Sequence, residues 1–251
     1  MTVQSRQRSG YEKWQDTIDT ALQDARWHEY DCDIVSIVAE FNRHLGQSPG
    51  YRLLDWHIVK AMIWTETGGP TKTAWRLNPM QIGNPGDPGL AALLSGKEGG
   101  ELVMPPDLQR VLTVLSAASS PQMNIRAGVA YLLMRLARYD FHTFIPSDSI
   151  TQEVKVRPGD TLGRIALEKG TTPDILKQLN PGIQPMLRPG QTLKYRRATV
   201  RKIIIGWRPL TTSLIAARYN VGNGSTYSRK LEYCLSIMSK IQERKCAASP
   251  G

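Results

Sequence analysis

The sequence predicts an α+β chain: a mainly helical body interrupted by a small βααβ module. Three observations carry that expectation. Apolar residues recur at helical spacing through 11–65 and again through 107–138. Between 153 and 197 the period shortens to two at both ends of a segment that holds two capped helices. After 199 the helical pattern is expected to resume. Residues 1–150 and 199–251 would then form one discontinuous body around an insert at 151–198.

Each element follows from local chemistry. Residues 11–65 alternate capping-type polar residues with apolar recurrence, so they read as helices. Residues 66–105 are punctuated by Gly68-Gly69-Pro70, Asn84-Pro85-Gly86-Asp87-Pro88-Gly89, Gly99-Gly100 and Pro105-Pro106, and read as loop. Within the insert, Val154 and Val156 alternate with charged residues as a half-buried strand, and Pro158-Gly159 turns the chain. Asp160 or Thr161 can cap a helix with Leu162, Ile165 and Ala166 on one face, ended by Gly170. Thr172-Pro173 starts a second helix with Leu176 and Leu179 inward, and Asn180-Pro181-Gly182 stops it. After the Pro189-Gly190 turn, Leu193 and Tyr195 alternate with Lys194 and Arg196 as the closing strand.

Composition narrows the partners. The 251 residues carry a formal charge of +10, which suits a polyanion, either nucleic acid or bacterial wall. There is no basic stripe interleaved with aromatics, no helix-turn-helix pattern and no zinc-ligand spacing, so nucleic acid is not the expected partner. No cofactor or metal is expected, since His28, His44, His57 and His142 show no ligand spacing. Three cysteines make no disulfide framework, although Cys234 and Cys246 could pair in an oxidising compartment. Met1 to Gly10 is polar and basic with no apolar stretch behind it, which does not read as a secretory signal. The longest apolar run, Val129 to Leu136, is too short for a transmembrane segment.

The insert resembles a LysM domain over its full length. The pattern runs Val156, Gly159-Asp160-Thr161-Leu162, Ile165-Ala166, Gly170, Leu176, Leu179-Asn180, Leu187 and Gly190-Gln191-Thr192-Leu193, with Val154 where an aromatic is frequent. The resemblance implies a groove for N-acetylglucosamine-containing glycan. Gly159, Asp160, Thr161 and Leu162 would form one side, and Asn180, Pro181, Gly182 and Ile183 the other. Leu162 and Ile183 also read simply as core. The segment 151–198 carries nine basic residues against four acids, a balance that fits an anionic wall.

A candidate acid lies in the body. Val59, Met62, Ile63 and Glu66 share one helical stripe, and the helix breaks at Gly68-Gly69-Pro70. Apolar neighbours and the negative helix C-terminus both favour a protonated carboxyl, which can give its proton to a glycosidic oxygen. Asp87, on the rigid Gly83-Asn84-Pro85-Gly86-Asp87 turn, is the best-placed second carboxylate for a hydrolytic lysozyme, but it reads more readily as a turn residue satisfying local N–H groups.

Four short blocks, in order, resemble the lysozyme-like soluble lytic transglycosylases: Ile63-Trp64-Thr65-Glu66-Thr67-Gly68-Gly69, Asn78-Pro79-Met80-Gln81-Ile82, Asn124-Ile125 to Gly128-Val129-Ala130-Tyr131-Leu132, and Ala216-Ala217-Arg218-Tyr219-Asn220-Val221-Gly222-Asn223-Gly224. Pro79 departs from a usual Leu, and Arg218 separates Ala217 from Tyr219. The resemblance implies Glu66 as single acid and base and Thr67 as its orienting neighbour. It implies Met80 and Gln81 along the sugar subsites, Tyr131 and Tyr219 against acid or substrate, and Asn220 holding its loop. The expected activity is cleavage of the MurNAc–GlcNAc β-1,4 bond of peptidoglycan. A wall-binding or structural protein that keeps the lysozyme-like shape is the alternative, and a hydrolytic phage lysin another. Synthesis in a bacterial cytoplasm and action in the periplasm or wall would also fit a delivered antibacterial toxin. Its partners would be an immunity protein or a component of a secretion machine.

Overall fold

The computed structural model describes residues 8–220, 224–240 and 246. The chain divides into two compact units, one of residues 1–138 with 204–251 and the other of residues 139–203.

In the first unit, α1 (Gly10–Asp19) is opened by a capping box from Ser9 and Glu12. Two 3-10 turns (Thr20–Leu22 and Ala25–His28) lead to α2 (Asp31–Leu45) and then α3 (Trp56–Thr67). Short helices follow: α4 (Thr73–Leu77), α5 (Pro88–Leu94), α6 (Gly100–Val103), α7 (Pro106–Val111) and α8 (Val114–Ser119), before the longer α9 (Pro121–Leu136). Three of them lie in the stretch that reads as loop. The reason is visible at α5: Asp87 accepts from the Gly89 N–H as N-cap, and Pro88 occupies the first turn, where it lacks nothing.

The helix α3 forms the centre. An apolar stripe is expected of it, yet all residues from Val59 to Thr67 are buried except Glu66, as befits a helix that is hydrophobic on every face. Trp64 meets Trp27 edge-on at 4.8 Å, and Trp27 meets Trp75 at 5.8 Å.

Helix was expected from 199 onward, and that expectation fails over nine residues. Strand β1 (Ala137–Phe144) follows α9 directly and pairs with β4 (Thr199–Trp207). Thr199, Val200, Ile203, Ile204 and Ile205 are β-branched, stiff at χ1 and better suited to a strand. Helix returns only with α12 (Thr212–Tyr219) and α13 (Gly224–Met238).

In the second unit, β2 (Gln152–Lys155), α10 (Leu162–Lys169), α11 (Pro173–Leu179) and β3 (Thr192–Tyr195) form the expected βααβ order. The strands are antiparallel, with Gln152 opposite Tyr195 and Val154 opposite Leu193. Val156, Ile165, Ala166, Leu176, Leu193 and Tyr195 make the core.

The cysteine pairing also differs from the one considered. Cys32 bonds Cys246, 214 residues away, whereas Cys234 is a free, fully buried thiol on α13 whose sulfur faces the Thr65 hydroxyl at 3.7 Å. Among the described residues no helix is long and apolar enough to cross a membrane.

Candidate functional site

Glu66 is the penultimate residue of α3 and the one residue of its last turns that reaches the surface. Gly68 ends the helix in the left-handed conformation, at φ +69°, and donates its N–H to the Trp64 carbonyl at 3.0 Å. Burial pushes the Glu66 carboxyl up to about 7. Two neighbours work against that rise. The Tyr227 hydroxyl donates to Glu66 Oε1 at 2.8 Å, and the Lys230 ammonium attracts the charged form. The Tyr227 phenol is itself held well above its ordinary value, by burial first and then by the Glu66 charge.

Tyr227 and Lys230 come from α13 and were not anticipated from the sequence. A signal was present. Tyr227, Leu231, Cys234 and Met238 recur at helical spacing and are all buried, and a phenol on such a stripe needs an acceptor inside. Thr65, Glu66, Asn220, Thr226, Tyr227 and Lys230 line a cavity of about 250 Å³, large enough to admit part of a sugar. Asn220 caps α12 and donates its N–H to the Ala216 carbonyl at 3.2 Å. Val221, Gly222 and Asn223 of the same block lie outside the described residues.

The other anticipated residues build the wall behind the acid. Asn124 is fully buried on α9. Its Oδ1 accepts from the Met80 N–H at 2.9 Å, and its Nδ2 donates to the carbonyls of Ile82 at 2.8 Å and Ala117 at 3.0 Å. The Tyr219 hydroxyl donates to the Met80 carbonyl at 2.8 Å, and the Tyr131 ring meets the Tyr219 ring edge-on at 5.4 Å. Burial raises both phenols above their ordinary value; at Tyr219 the charges of Glu66 and Asp87 add to it. Met80 itself was expected along the sugar subsites, but its side chain is fully buried and packs where Gly128 lacks a Cβ. A Cβ on Gly128 would lie 2.5 Å from that of Met80, so the helix can approach this segment only as glycine.

Gln81 is the one described non-glycine residue with a left-handed backbone, at φ +52°, a conformation that costs about 1 kcal/mol. Its Nε2 bonds back to the Asn78 carbonyl at 2.7 Å. Thr67 does not bond the carboxyl it was expected to orient. Its hydroxyl donates to the Ile63 carbonyl at 2.7 Å and accepts from the Gly69 N–H at 3.2 Å, which holds the turn behind Glu66. Asp87 takes the turn role. One oxygen accepts from the Gly83 N–H at 2.6 Å and the other from the Gly89 N–H at 2.7 Å.

In the second unit, the two loops of the anticipated groove are held by their own side chains. Asp160 accepts from the Arg157 N–H at 2.8 Å, and Thr161 caps α10 by accepting from the Arg164 N–H at 3.2 Å. Asn180 donates to the Lys194 carbonyl at 2.7 Å and accepts from the Lys194 N–H at 2.9 Å, which ties its loop to β3. Gly159 and Gly182 take positive φ, and Pro181 is exposed. Leu162 and Ile183 each pack one side on the core and keep some surface.

Two features therefore define the molecule: a helical body with one carboxyl pushed up to about 7 by burial at a partly open helix end, and a βααβ unit whose two loops are held by their own side chains. Residues 154–195 match the LysM domain family, so that a LysM domain is present. No curated protein and no solved structure matches the chain. A LysM domain indicates binding of N-acetylglucosamine-containing glycan such as peptidoglycan.

Proposed function

We propose that the helical body cleaves the MurNAc–GlcNAc β-1,4 bond of peptidoglycan with Glu66 as its single acid and base, and that the LysM domain holds the enzyme on its substrate. The observation that carries the proposal is the Glu66 carboxyl, raised to about 7 and opening onto a cavity among Tyr227, Lys230 and Asn220. At neutral pH a carboxyl with that value is half protonated, so it can serve as donor and then as acceptor.

The chemistry takes two steps. Glu66 gives its proton to the oxygen between the sugars, and the bond to the MurNAc anomeric carbon breaks. The resulting carboxylate is stabilised by the Tyr227 hydroxyl and by Lys230, and the anomeric carbon carries oxocarbenium character. Glu66 then withdraws the proton of the MurNAc 6-hydroxyl, whose oxygen bonds to the anomeric carbon and closes a 1,6-anhydro ring. Hydrolysis by two carboxylates is the less favoured route, because both Asp87 oxygens are engaged by backbone N–H groups. Tethering a glycan-binding domain to the same chain raises the local concentration of strands at the acid.

The purified protein should clear a suspension of bacterial wall, and Glu66→Gln should not. Clearing by the variant at the native rate would remove Glu66 from the role.

A further inference from the structure

Helix α1 docks on α13 through aromatic rings. The Trp14 ring stacks on Tyr11 at 5.6 Å and meets the Tyr233 ring at 5.9 Å, and the Tyr11 hydroxyl donates to the Arg229 carbonyl at 3.3 Å. Two cations of α13 lie over these rings. The Arg229 guanidinium stands 4.5 Å from Tyr11, and the Lys230 ammonium 5.0 Å from Trp14. Lys230 also lines the cavity that holds Glu66. The carboxylates of α1 and α13 nearby are engaged elsewhere: Asp16 by Arg8, Asp19 by the Tyr233 hydroxyl, and Glu232 by Thr212 and Ser228. Among the described residues the Lys230 ammonium makes no hydrogen bond or ion pair, so the Trp14 ring is what fixes it.

We propose that Trp14 is a positioning residue for the cleavage reaction: its ring holds the Lys230 ammonium beside Glu66, where the cation steadies the carboxylate that forms when the proton leaves. The inference rests on the reading of Glu66 as acid and base. A lysine on its flexible four-carbon stem is otherwise free to turn into water, where its charge is screened and lost to the site. A ring attracts the cation without neutralising it, so the charge still acts on the carboxyl. The other groups that face Glu66 are Tyr227 on α13 and Tyr219 on α12, and Cys234 faces Lys230; burial keeps all three neutral near pH 7. Among the described groups the ammonium is therefore the one full charge acting on the acid. Its attraction offsets part of what burial does to the carboxyl, so that Glu66 can both give a proton and take one back near neutral pH.

The test reads Glu66 directly, by carbon-13 NMR titration of the full-length protein labelled at its glutamate carboxyls, with Glu66→Gln to assign the signal. The pH profile of wall clearing is measured beside it. Lys230→Met should raise the Glu66 midpoint by about 0.5, and Trp14→Met, which keeps apolar bulk and loses the ring, by roughly half as much. Trp14→Phe should stay near the native midpoint. In the double variant Trp14→Met should add nothing to Lys230→Met, because the ring acts through the cation. The alkaline limb of clearing should move up with each midpoint. A native midpoint in Trp14→Met, or an equal added shift in the Lys230→Met background, would overturn the inference and leave Glu66 standing as the acid. The expected midpoints in a native protein that clears no wall would overturn the enzyme reading, and the positioning role with it.

Discussion

At the scale of single residues, the molecule invests stability in one carboxyl. Glu66 is raised from its ordinary 4.5 to about 7, chiefly by burial. The folded state therefore keeps this proton to higher pH than the unfolded chain does. Folding loses stability as pH rises from about 4.5 through about 7, on the order of 3 kcal/mol once both states are ionised. Glu66→Gln removes the cost, because the amide never ionises. The variant should match the native protein in thermal unfolding near pH 4 and exceed it clearly at pH 8. Parallel midpoints at both values would mean that the carboxyl is solvated. On the proposed mechanism the same sign governs chemistry: a general acid at Glu66 would be lost as pH climbs past about 7, so clearing of wall should fall on that side.

At the scale of elements, α3 shows what a wholly buried helix demands. Lys60 points into the core at 4% exposure and must be paired. Asp31, at the start of α2, receives its ammonium at 2.7 and 2.8 Å, and His28 Nδ1 lies 2.9 Å from it. Asp31→Ala would take the carboxylate from this buried cation, leaving it His28 and the faces of Trp56 and Trp64, and should cost about 3 kcal/mol, read as a lower urea midpoint. A change under about 1 kcal/mol would show that water reaches the pair. The end of α3 was legible in the sequence because glycines mark it and apolar residues surround its acid. So was the βααβ module, where capping residues and turns stand at every boundary. The pairing of β1 with β4 was not. No glycine or proline separates α9 from β1, and β4 mixes Arg201 and Lys202 with isoleucines on open faces, which blurs the alternation that burial normally imposes. Tyr227 escaped for another reason: its role depends on how α13 packs against α3, and a helical stripe names the inward face without naming what it meets.

At the scale of the whole molecule, the disulfide from Cys32 to Cys246 ties α2 to a point eight residues beyond α13. That helix supplies both Tyr227 and Lys230 to the acid. Closing a loop of 214 residues restricts the unfolded chain by about 5 kcal/mol on the chain-entropy estimate. Reduction, or Cys32→Ser, should lower the unfolding temperature of the helical body by several degrees. An unchanged midpoint under reductant would mean that the bond contributes nothing to holding the C-terminal helix. The buried Cys234 thiol, pushed up to about 12 by burial, should stay unreactive until the protein unfolds.

The most direct measurement is mass spectrometry of the soluble fragments released when purified peptidoglycan is incubated with the protein and with Glu66→Gln. A single buried acid predicts disaccharide fragments ending in 1,6-anhydro-MurNAc from the native protein and none from the variant. Equal release by both proteins, or no glycan fragment from either, would contradict it.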